Sequence, residues 1–305
     1  MISADTPQPA GDVTPDTRTL TRRFKRCTCG ALALAFIVTL GTMDGPGAGP
    51  VPRTGTLRGR FVFDGDPPAP IDLYPGLAKI DLAQPHPGPE RFDGVEGLYR
   101  QFLDHRIRPS TLDQSLQIGK KHGIANVVIW ATSKEIPCHV PLEPGRRPVT
   151  IKLKGGHYSP RVAVAMTGQT ILIENHDPLT FHFRAEPGQA GNKPINHLLK
   201  PNSARMPLRL VWYEPEAQPI RYESNLGPWA NGWVFVHRNA FVAVSGPDGS
   251  FALPGLPPGK LEFRVWHERQ GYLKQWPRGQ FQYTIQPGDT TLGEIKLSPL
   301  FFVRR

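Results

Sequence analysis

The sequence predicts an all-β fold, built as a larger β-sandwich followed by a smaller one. The chain has 34 prolines and 31 glycines in 305 residues and only 20% charged residues, which favours short strands joined by many turns. About nine short apolar strand candidates precede residue 240, a spacing typical of a sandwich. A strong hairpin signal at Gly246-Pro247-Asp248-Gly249 then opens a separate group of strands.

The N-terminal residues predict export. Residues 18–41 are a basic segment followed by roughly a dozen apolar residues, a length that suits a secretory signal and is short for a membrane span. We therefore expect residues 1–44 to be a signal peptide or signal anchor, and residues 45–54 to be a Gly/Pro linker. The body is expected outside the cytoplasm, either periplasmic or secreted, with a membrane anchor if the segment is not cleaved.

Charge and cysteine content narrow the partners. The net charge is +10, of which the first fifty residues supply only +1, so the body itself is basic. This charge favours envelope components or anionic surfaces, and an exported protein is not expected to bind nucleic acid. Cys27 and Cys29 precede the apolar segment and leave Cys138 alone in the body, so there is no disulfide framework and no zinc-finger pattern.

The larger domain is expected to span residues 55–238. It begins with strand Thr56–Phe63 and continues into a Pro/Asp/Gly-rich excursion over the surface at about 64–113, with one helical candidate at Val95–His105. Residues 187–203 are expected to form a loop. The further strand candidates are Gly123–Ala131, Val149–Leu153, Arg161–Met166, Thr170–Glu174, Phe181–Ala185, Ala204–Tyr213, Ile220–Ser224 and Gly232–His237.

The stretch Gly168–Arg184 is the expected hub of this domain. It contains one strand, an Asp-Pro turn and a second strand, with His176 and His182 at or beside the turn. Alternation places Phe181 and Phe183 on one face of the second strand and His182 on the other. Imidazoles crowded between strands at a turn suggest a metal site, provided that further ligands exist elsewhere.

The smaller domain is expected to span residues 239–298. Its strand candidates are Phe241–Ser245, Ser250–Leu253, Lys260–Glu268, Tyr283–Ile285 and Leu292–Leu297. In the third of these, parity places His267 on the same face as Leu261, Phe263 and Val265. We therefore expect a buried histidine whose polar atoms are satisfied.

Three segments together resemble a family of exported bacterial proteins with a cupredoxin-like domain, similar to methylamine-utilisation-type and planctomycete cupredoxins. They are Asp113–Ala131, Tyr158–Phe183 and Gly227–Glu268. The tail from Phe241 to Ile295, with P-D-G-S-F-A-L-P-G-L-P-P-G, also resembles a carboxypeptidase-regulatory or transthyretin-like domain. The resemblance implies a cupredoxin-like Greek-key sandwich followed by a small carboxypeptidase-regulatory-like sandwich.

The resemblance also implies where copper ligands would stand. Type 1 copper requires a thiolate and two imidazoles with a weak axial methionine. Asn175, Asp177 and Pro178 of the family's turn are kept, as are Pro228, Trp229 and Gly232 of its second motif. The ligand positions themselves carry other residues: Phe181 and Gly227 replace the histidines, Ser224 the cysteine and Ala230 the methionine, while Gly156 replaces a further family cysteine. We therefore expect no cofactor.

Two alternatives remain open at this stage. A copper-binding or other metal-binding redox protein could use rearranged ligands, for which His176, His182, Asp177 and His237 are the candidates. A carbohydrate- or envelope-binding module could use exposed aromatic residues, for which Trp212, Trp229, Trp233 and Trp276 are the candidates.

The sequence does not predict an enzyme. It contains no G-x-S-x-G nucleophile elbow and no HExxH motif, and the paired carboxylates Glu214 and Glu216 stand in a Pro-flanked loop typical of a solvated turn. The leading expectation is an exported, non-catalytic protein whose cupredoxin-like module has lost its copper and has a binding or structural role at the cell envelope.

Overall fold

The chain folds into four β-sheets. A computed structural model describes residues 54–80, 94–133, 136 and 147–303, and the compact body runs from Pro50 to Arg305. The predicted leader, the linker up to residue 53 and Cys138 lie outside the described residues. In the described part there is one α-helix, α1 (Gly94–Asp104). The strands are β1 (Gly55–Phe63), β2 (Val128–Ala131), β3 (Val149–Lys154), β4 (His157–Ser159), β5 (Val162–Met166), β6 (Thr170–Asn175), β7 (Phe181–Ala185), β8 (Ile195–Leu199), β9 (Leu208–Val211), β10 (Ile220–Glu223), β11 (Asn231–His237), β12 (Val242–Val244), β13 (Ser250–Leu256), β14 (Gly259–His267), β15 (Gly271–Tyr272), β16 (Gln280–Ile285) and β17 (Gly288–Leu297).

The first sandwich consists of two facing sheets from the middle of the chain. Sheet I has the strand order β5-β11-β10-β7-β8 and sheet II the order β4-β3-β6-β9. Most pairs are antiparallel, but β5 runs parallel to β11 and β3 runs parallel to β6. Alternate residues of both sheets, such as Ile173 of β6 and Phe183 of β7, share one buried core. The predicted all-β sandwich is thus confirmed.

The second sandwich is assembled from both ends of the body. Sheet III has the order β12-β2-β14-β15, with β16 paired to β14, and sheet IV has the order β13-β1-β17. β1 lies parallel to β17 and antiparallel to β13, and β2 lies between β12 and β14. The predicted domains 55–238 and 239–298 therefore need correction, because β1 and β2 pair with the C-terminal strands. The first sandwich is inserted between β2 and β12.

The excursion at about 64–113 also differs from the expectation of a surface segment. Its helix α1 begins and ends within one residue of the predicted Val95–His105. Leu98, Tyr99, Phe102 and Leu103 of this helix are at most 7% exposed and belong to the core of the first sandwich. The i, i+1, i+4, i+5 spacing of these residues makes one apolar helix face, and that face packs inward.

The two sandwiches pack against each other through sheets I and III. Trp130 and Trp266 of sheet III meet Val162 and Phe235 of sheet I in a small apolar cluster. At its border, the Arg161 guanidinium forms two hydrogen bonds with Glu268, at Nη2–Oε2 2.7 Å and Nε–Oε1 2.5 Å, and both side chains are nearly buried. The four sheets therefore form one continuous stack.

Three strands were not predicted, and two predicted strands are shorter, of which Gly123–Ala131 forms a strand only over Val128–Ala131. β4, β8 and β15 were missed, β8 because its Pro/Asn/Gly-rich surroundings predicted a loop at 187–203. The candidate Ala204–Tyr213 forms a strand only over Leu208–Val211. Among the described residues, no helix has both the length and the apolar character to span a membrane.

Candidate functional site

The residues at the expected copper-ligand positions do meet in space, at one end of the first sandwich. Phe181, in place of a histidine, is fully buried. A Cβ placed on Gly227, the second histidine position, would lie only 2.7 Å from Cζ of Phe181. An aromatic ring therefore closes the end of the sandwich at the expected copper-ligand positions.

Several aromatic rings complete this closure, which we call the end cluster: Tyr99, Phe102, Tyr158, Phe181 and Trp229. Phe102 and Tyr158 contact Phe181 with ring centroids 5.9 and 6.0 Å apart, both edge-to-face. Tyr99 contacts Trp229 at 5.6 Å, also edge-to-face. Such geometry is the favoured one for aromatic pairs and contributes about 0.5–1.5 kcal/mol per pair beyond area burial.

The loop 224–230, where the cysteine and methionine positions lie, is held by its own hydrogen bonds. The Ser224 hydroxyl accepts from the backbone N–H groups of Leu226 (3.2 Å) and Gly227 (3.1 Å). The Ser224 N–H donates to the Ala230 carbonyl (3.1 Å), and the Ala230 N–H donates to the Gly227 carbonyl (2.8 Å). Ser224 thus acts as a turn-forming acceptor, and Ala230 is fully buried.

The retained turn residues Asn175 and Asp177 also have backbone partners. The Asp177 carboxylate accepts from the N–H groups of Gly155 (2.7 Å) and Gly156 (2.8 Å). The Asn175 amide donates to the carbonyls of Leu179 (2.8 Å) and Lys200 (2.9 Å). Both residues are at most 2% exposed, and their side chains connect neighbouring loops.

The candidate metal ligands do not come together. His176 Nε2 lies 2.8 Å from Oε2 of Glu174 at the surface. His182, on the opposite face of its strand from Phe181 as predicted, has Nε2 2.6 Å from Oδ1 of Asn196, and its Nδ1 accepts from the Asn225 N–H (3.1 Å). His237 Nδ1 accepts from the Asn239 N–H (3.4 Å). No three His, Cys, Asp or Glu side chains in the described ranges form a group that could hold a metal ion.

The titratable groups near the end cluster are shifted toward their neutral forms. Burial lowers the pKa of His157, whose Nε2 has no hydrogen-bond partner among the described residues. Burial also raises the pKa of Tyr158 well above its ordinary value. The Tyr158 hydroxyl donates to the His182 carbonyl (2.6 Å). Burial holds both groups toward the neutral form because their ions would be unsolvated.

The four tryptophans considered for carbohydrate binding are packed in the protein. Trp212 and Trp229 are 2% exposed. Trp233 contacts Trp266 at 5.0 Å, and Trp276 stacks on Phe281 at 4.6 Å. The indole nitrogen of Trp229 donates to the Gly156 carbonyl (3.1 Å). The four rings therefore do not form an exposed stacking platform.

Sequence reasoning missed two contributors to the end cluster. Tyr99 and Phe102 were assigned to a surface excursion, although their helical spacing with Leu98 and Leu103 was a usable signal of burial. Pro109 was also missed: a Cβ placed on Gly156, which has φ +74°, would lie 2.9 Å from the Pro109 ring. The excursion thus occupies the space beside Gly156.

No family model and no curated protein matches the chain. Solved structures that match it are cupredoxins. A Cu-containing nitrite reductase (NirK) from Thermus scotoductus SA-01 is 19% identical over 30% of this chain and 23% of that chain, with a TM-score of 0.26. A Cu(I) amicyanin variant is 15% identical over 36% of this chain and 98% of that chain, also at 0.26. A purple cupredoxin from Nitrosopumilus maritimus is 21% identical over 29% of this chain and 98% of that chain, at 0.23. The match spans less than a quarter of the reductase. Because these TM-scores are low, the role of the site is inferred from its own contacts.

Proposed function

We propose that this chain is a non-catalytic protein of the cell envelope, located outside the cytoplasm. Its cupredoxin-like module has lost the type 1 copper site and has a binding or structural role. The observation that carries the proposal is the end cluster, in which Phe181 fills the space between the strands and the 224–230 loop.

Chemistry and space both support the loss of copper. A type 1 centre needs a soft thiolate, which Ser224 does not supply, and imidazoles, which Phe181 and Gly227 do not supply. Restoring a side chain at Gly227 would require Phe181 to move, because the Cβ alone approaches the ring to 2.7 Å. Ring packing and the hydrogen bonds of Ser224 and Asp177 take over the role of holding this end together.

A non-catalytic role is supported by the same contacts. The side-chain oxygens of Asp177, Ser224 and Tyr158 at this end are engaged by backbone groups. Nucleophilic catalysis requires a side chain that is free to attack a substrate. These three oxygens are instead held by the protein itself.

Copper loading of the purified full chain tests the proposal. We expect no stoichiometric copper in the body and no intense thiolate-to-copper absorption band, because a Cys–Cu bond is required for that band. The control variant is Cys27→Ser/Cys29→Ser, which removes the paired thiols near the N-terminus and any copper they hold. The proposal would be overturned if the Cys27→Ser/Cys29→Ser variant still bound stoichiometric copper and still showed the thiolate-to-copper band.

The same titration separates the proposal from its main alternative. If rearranged histidines hold a metal, His176→Ala or His182→Ala will weaken copper or zinc binding, whereas Ser224→Ala will not. Under the proposal none of the three substitutions changes metal binding, since each side chain already has a partner within the protein.

A further inference from the structure

A cleft at the open side of the first sandwich combines apolar and cationic side chains. It lies where both sheets end, between the terminal strand β8 of sheet I and the terminal strand β9 of sheet II, and has a volume of about 310 Å³. Leu198 and Met206 line it and are 56% and 77% exposed. Large apolar side chains exposed together indicate an interaction surface more often than the same residues scattered singly.

The charges around this cleft have one sign. Lys200 and Arg209 line it, and Arg205 stands next to Met206; all three are exposed. No acidic side chain is among the lining residues, and none of the three cations forms an ion pair with a described carboxylate. Elsewhere on sheet I the arrangement differs, since Arg184 pairs with Glu186 and Arg221 with Glu223. The three cations beside the exposed apolar side chains are thus uncompensated by a described carboxylate.

We propose that this cleft docks the protein on an anionic phospholipid surface. Leu198 and Met206 would enter the interface between headgroups and acyl chains, and Lys200, Arg205 and Arg209 would contact the phosphates. Apolar insertion combined with several cations is the pairing that gives reversible binding to anionic membranes. Charge complementarity favours this occupant over an apolar protein partner, because three unpaired cations would be desolvated against an apolar surface.

This inference rests on the proposed location at the cell envelope. A negative result in one of the two experiments does not decide the other. Copper loading concerns the end cluster, and lipid binding concerns a surface formed by β8, β9 and the segment between them. A copper-binding result would leave the lipid proposal intact, and absent lipid binding would leave the lost-copper proposal intact.

Co-sedimentation of the full chain with vesicles tests the inference. The probes are vesicles of phosphatidylglycerol mixed with phosphatidylcholine, compared with vesicles of phosphatidylcholine alone. We expect binding only to the anionic vesicles, weakened by added salt. Because each Lys or Arg near an anionic surface strengthens binding about fivefold, Lys200→Gln/Arg205→Gln/Arg209→Gln should weaken it about a hundredfold.

A matched variant controls for net charge and for the N-terminal apolar segment. Lys260→Gln/Lys274→Gln/Lys296→Gln removes three exposed cations from the second sandwich and should change binding by less than about threefold. The N-terminal segment is present in every variant, so it cannot account for a difference between them. Leu198→Ser/Met206→Ser should abolish the binding that persists at high salt. Equal losses in the two triple variants, or equal binding to both kinds of vesicle, would overturn the inference.

Discussion

The two sandwiches close their cores in different ways. In the second, two stacked aromatic pairs join neighbouring strands, Phe61–Phe251 (4.9 Å) and Phe263–Phe281 (5.5 Å). In the first, the contacts at one end join segments that are not paired, as between Phe102 of α1 and Phe181 of β7 (5.9 Å). The end that carries the expected copper-ligand positions is thus the end that packs against α1, a helix from a separate segment of the chain.

The largest expected effect comes from removing a ring from either core. Phe181→Ala should lower the free energy of unfolding by about 4 kcal/mol, because it deletes a fully buried ring and leaves a cavity. Phe263→Ala is the matched substitution in the second sandwich and should cost about the same. Denaturant unfolding monitored by tryptophan fluorescence measures both.

Phe102→Ala tests whether the ring contacts of the first core act together, independently of the second core. This substitution should be non-additive with Phe181→Ala, since the two rings touch, and additive with Phe263→Ala. If Phe181→Ala cost less than about 1 kcal/mol, the end cluster would be loosely packed and the contrast between the sandwiches would fail.

The next effect concerns the ion pair that joins the two sandwiches. Arg161→Met should lower stability by about 3 kcal/mol, because Glu268, 5% exposed in its side chain, would be left buried without a cation, although the Trp233 indole N–H (3.1 Å) still donates to it. The double variant Arg161→Met/Glu268→Met should recover part of this loss.

The surface pair Arg100–Glu96 of α1 is the control, and Arg100→Met should cost no more than about 0.5 kcal/mol.

Thermal unfolding measured by calorimetry shows whether the two sandwiches unfold together or separately. Two transitions in the Arg161→Met protein, against one in the unmodified chain, would mean that this pair couples them.

The last effect is a pH dependence located in the second sandwich, which is measured as a slope of stability against pH. Burial lowers the pKa of His267 to about 3, and the ring lies 5.1 Å from Phe302. The folded state keeps this histidine neutral, whereas the unfolded state protonates it below its ordinary pKa of 6.5. Stability from this group is thus fully present above that pH and falls by about 1.4 kcal/mol per pH unit as the pH drops toward 3.

Substitution by asparagine isolates the contribution of His267. Asparagine keeps an acceptor for the Arg269 N–H, which now donates to His267 Nδ1 (3.3 Å), but it does not titrate. His267→Asn should therefore be less sensitive to acid than the unmodified chain, although His157 and His237 also have pKa values lowered by burial. Identical slopes of stability against pH would contradict the assignment to His267.

Local pattern predicted much of the first sandwich correctly. Alternation placed Phe181 and His182 on opposite faces of their strand, and the apolar runs located β3, β5, β6, β7 and β11 to within a residue or two. The parity of β14 likewise placed His267 in the core, although its Nε2 has no partner in the described part of the chain, contrary to the expected satisfaction. The position of a strand and the faces of its side chains depend on residues that are adjacent in sequence, so the alternation of residue types predicts them directly.

Sequence pattern could not reveal which distant segments pair. β1 reads as an ordinary strand, and nothing in its residues distinguishes pairing with β17 from pairing within the first sandwich. β8 was missed because Asn196, His197 and Leu198 are exposed and its sheet contact is to one neighbour only, so it lacks the apolar alternation of a central strand. The role of α1 at the end cluster is likewise a matter of tertiary packing.

The parallel pairing of β1 with β17 has a consequence for the order in which the chain acquires its structure. Gly55 lies opposite Gly288, so the earliest strand of the body completes its sheet only after nearly the whole chain has been synthesised. The strands β3 to β11 are contiguous and can associate sooner. Until β13 and β17 arrive, Leu57 and Phe61 of β1, both fully buried in the finished protein, remain uncovered. We expect the growing chain to be most prone to aggregation during this interval.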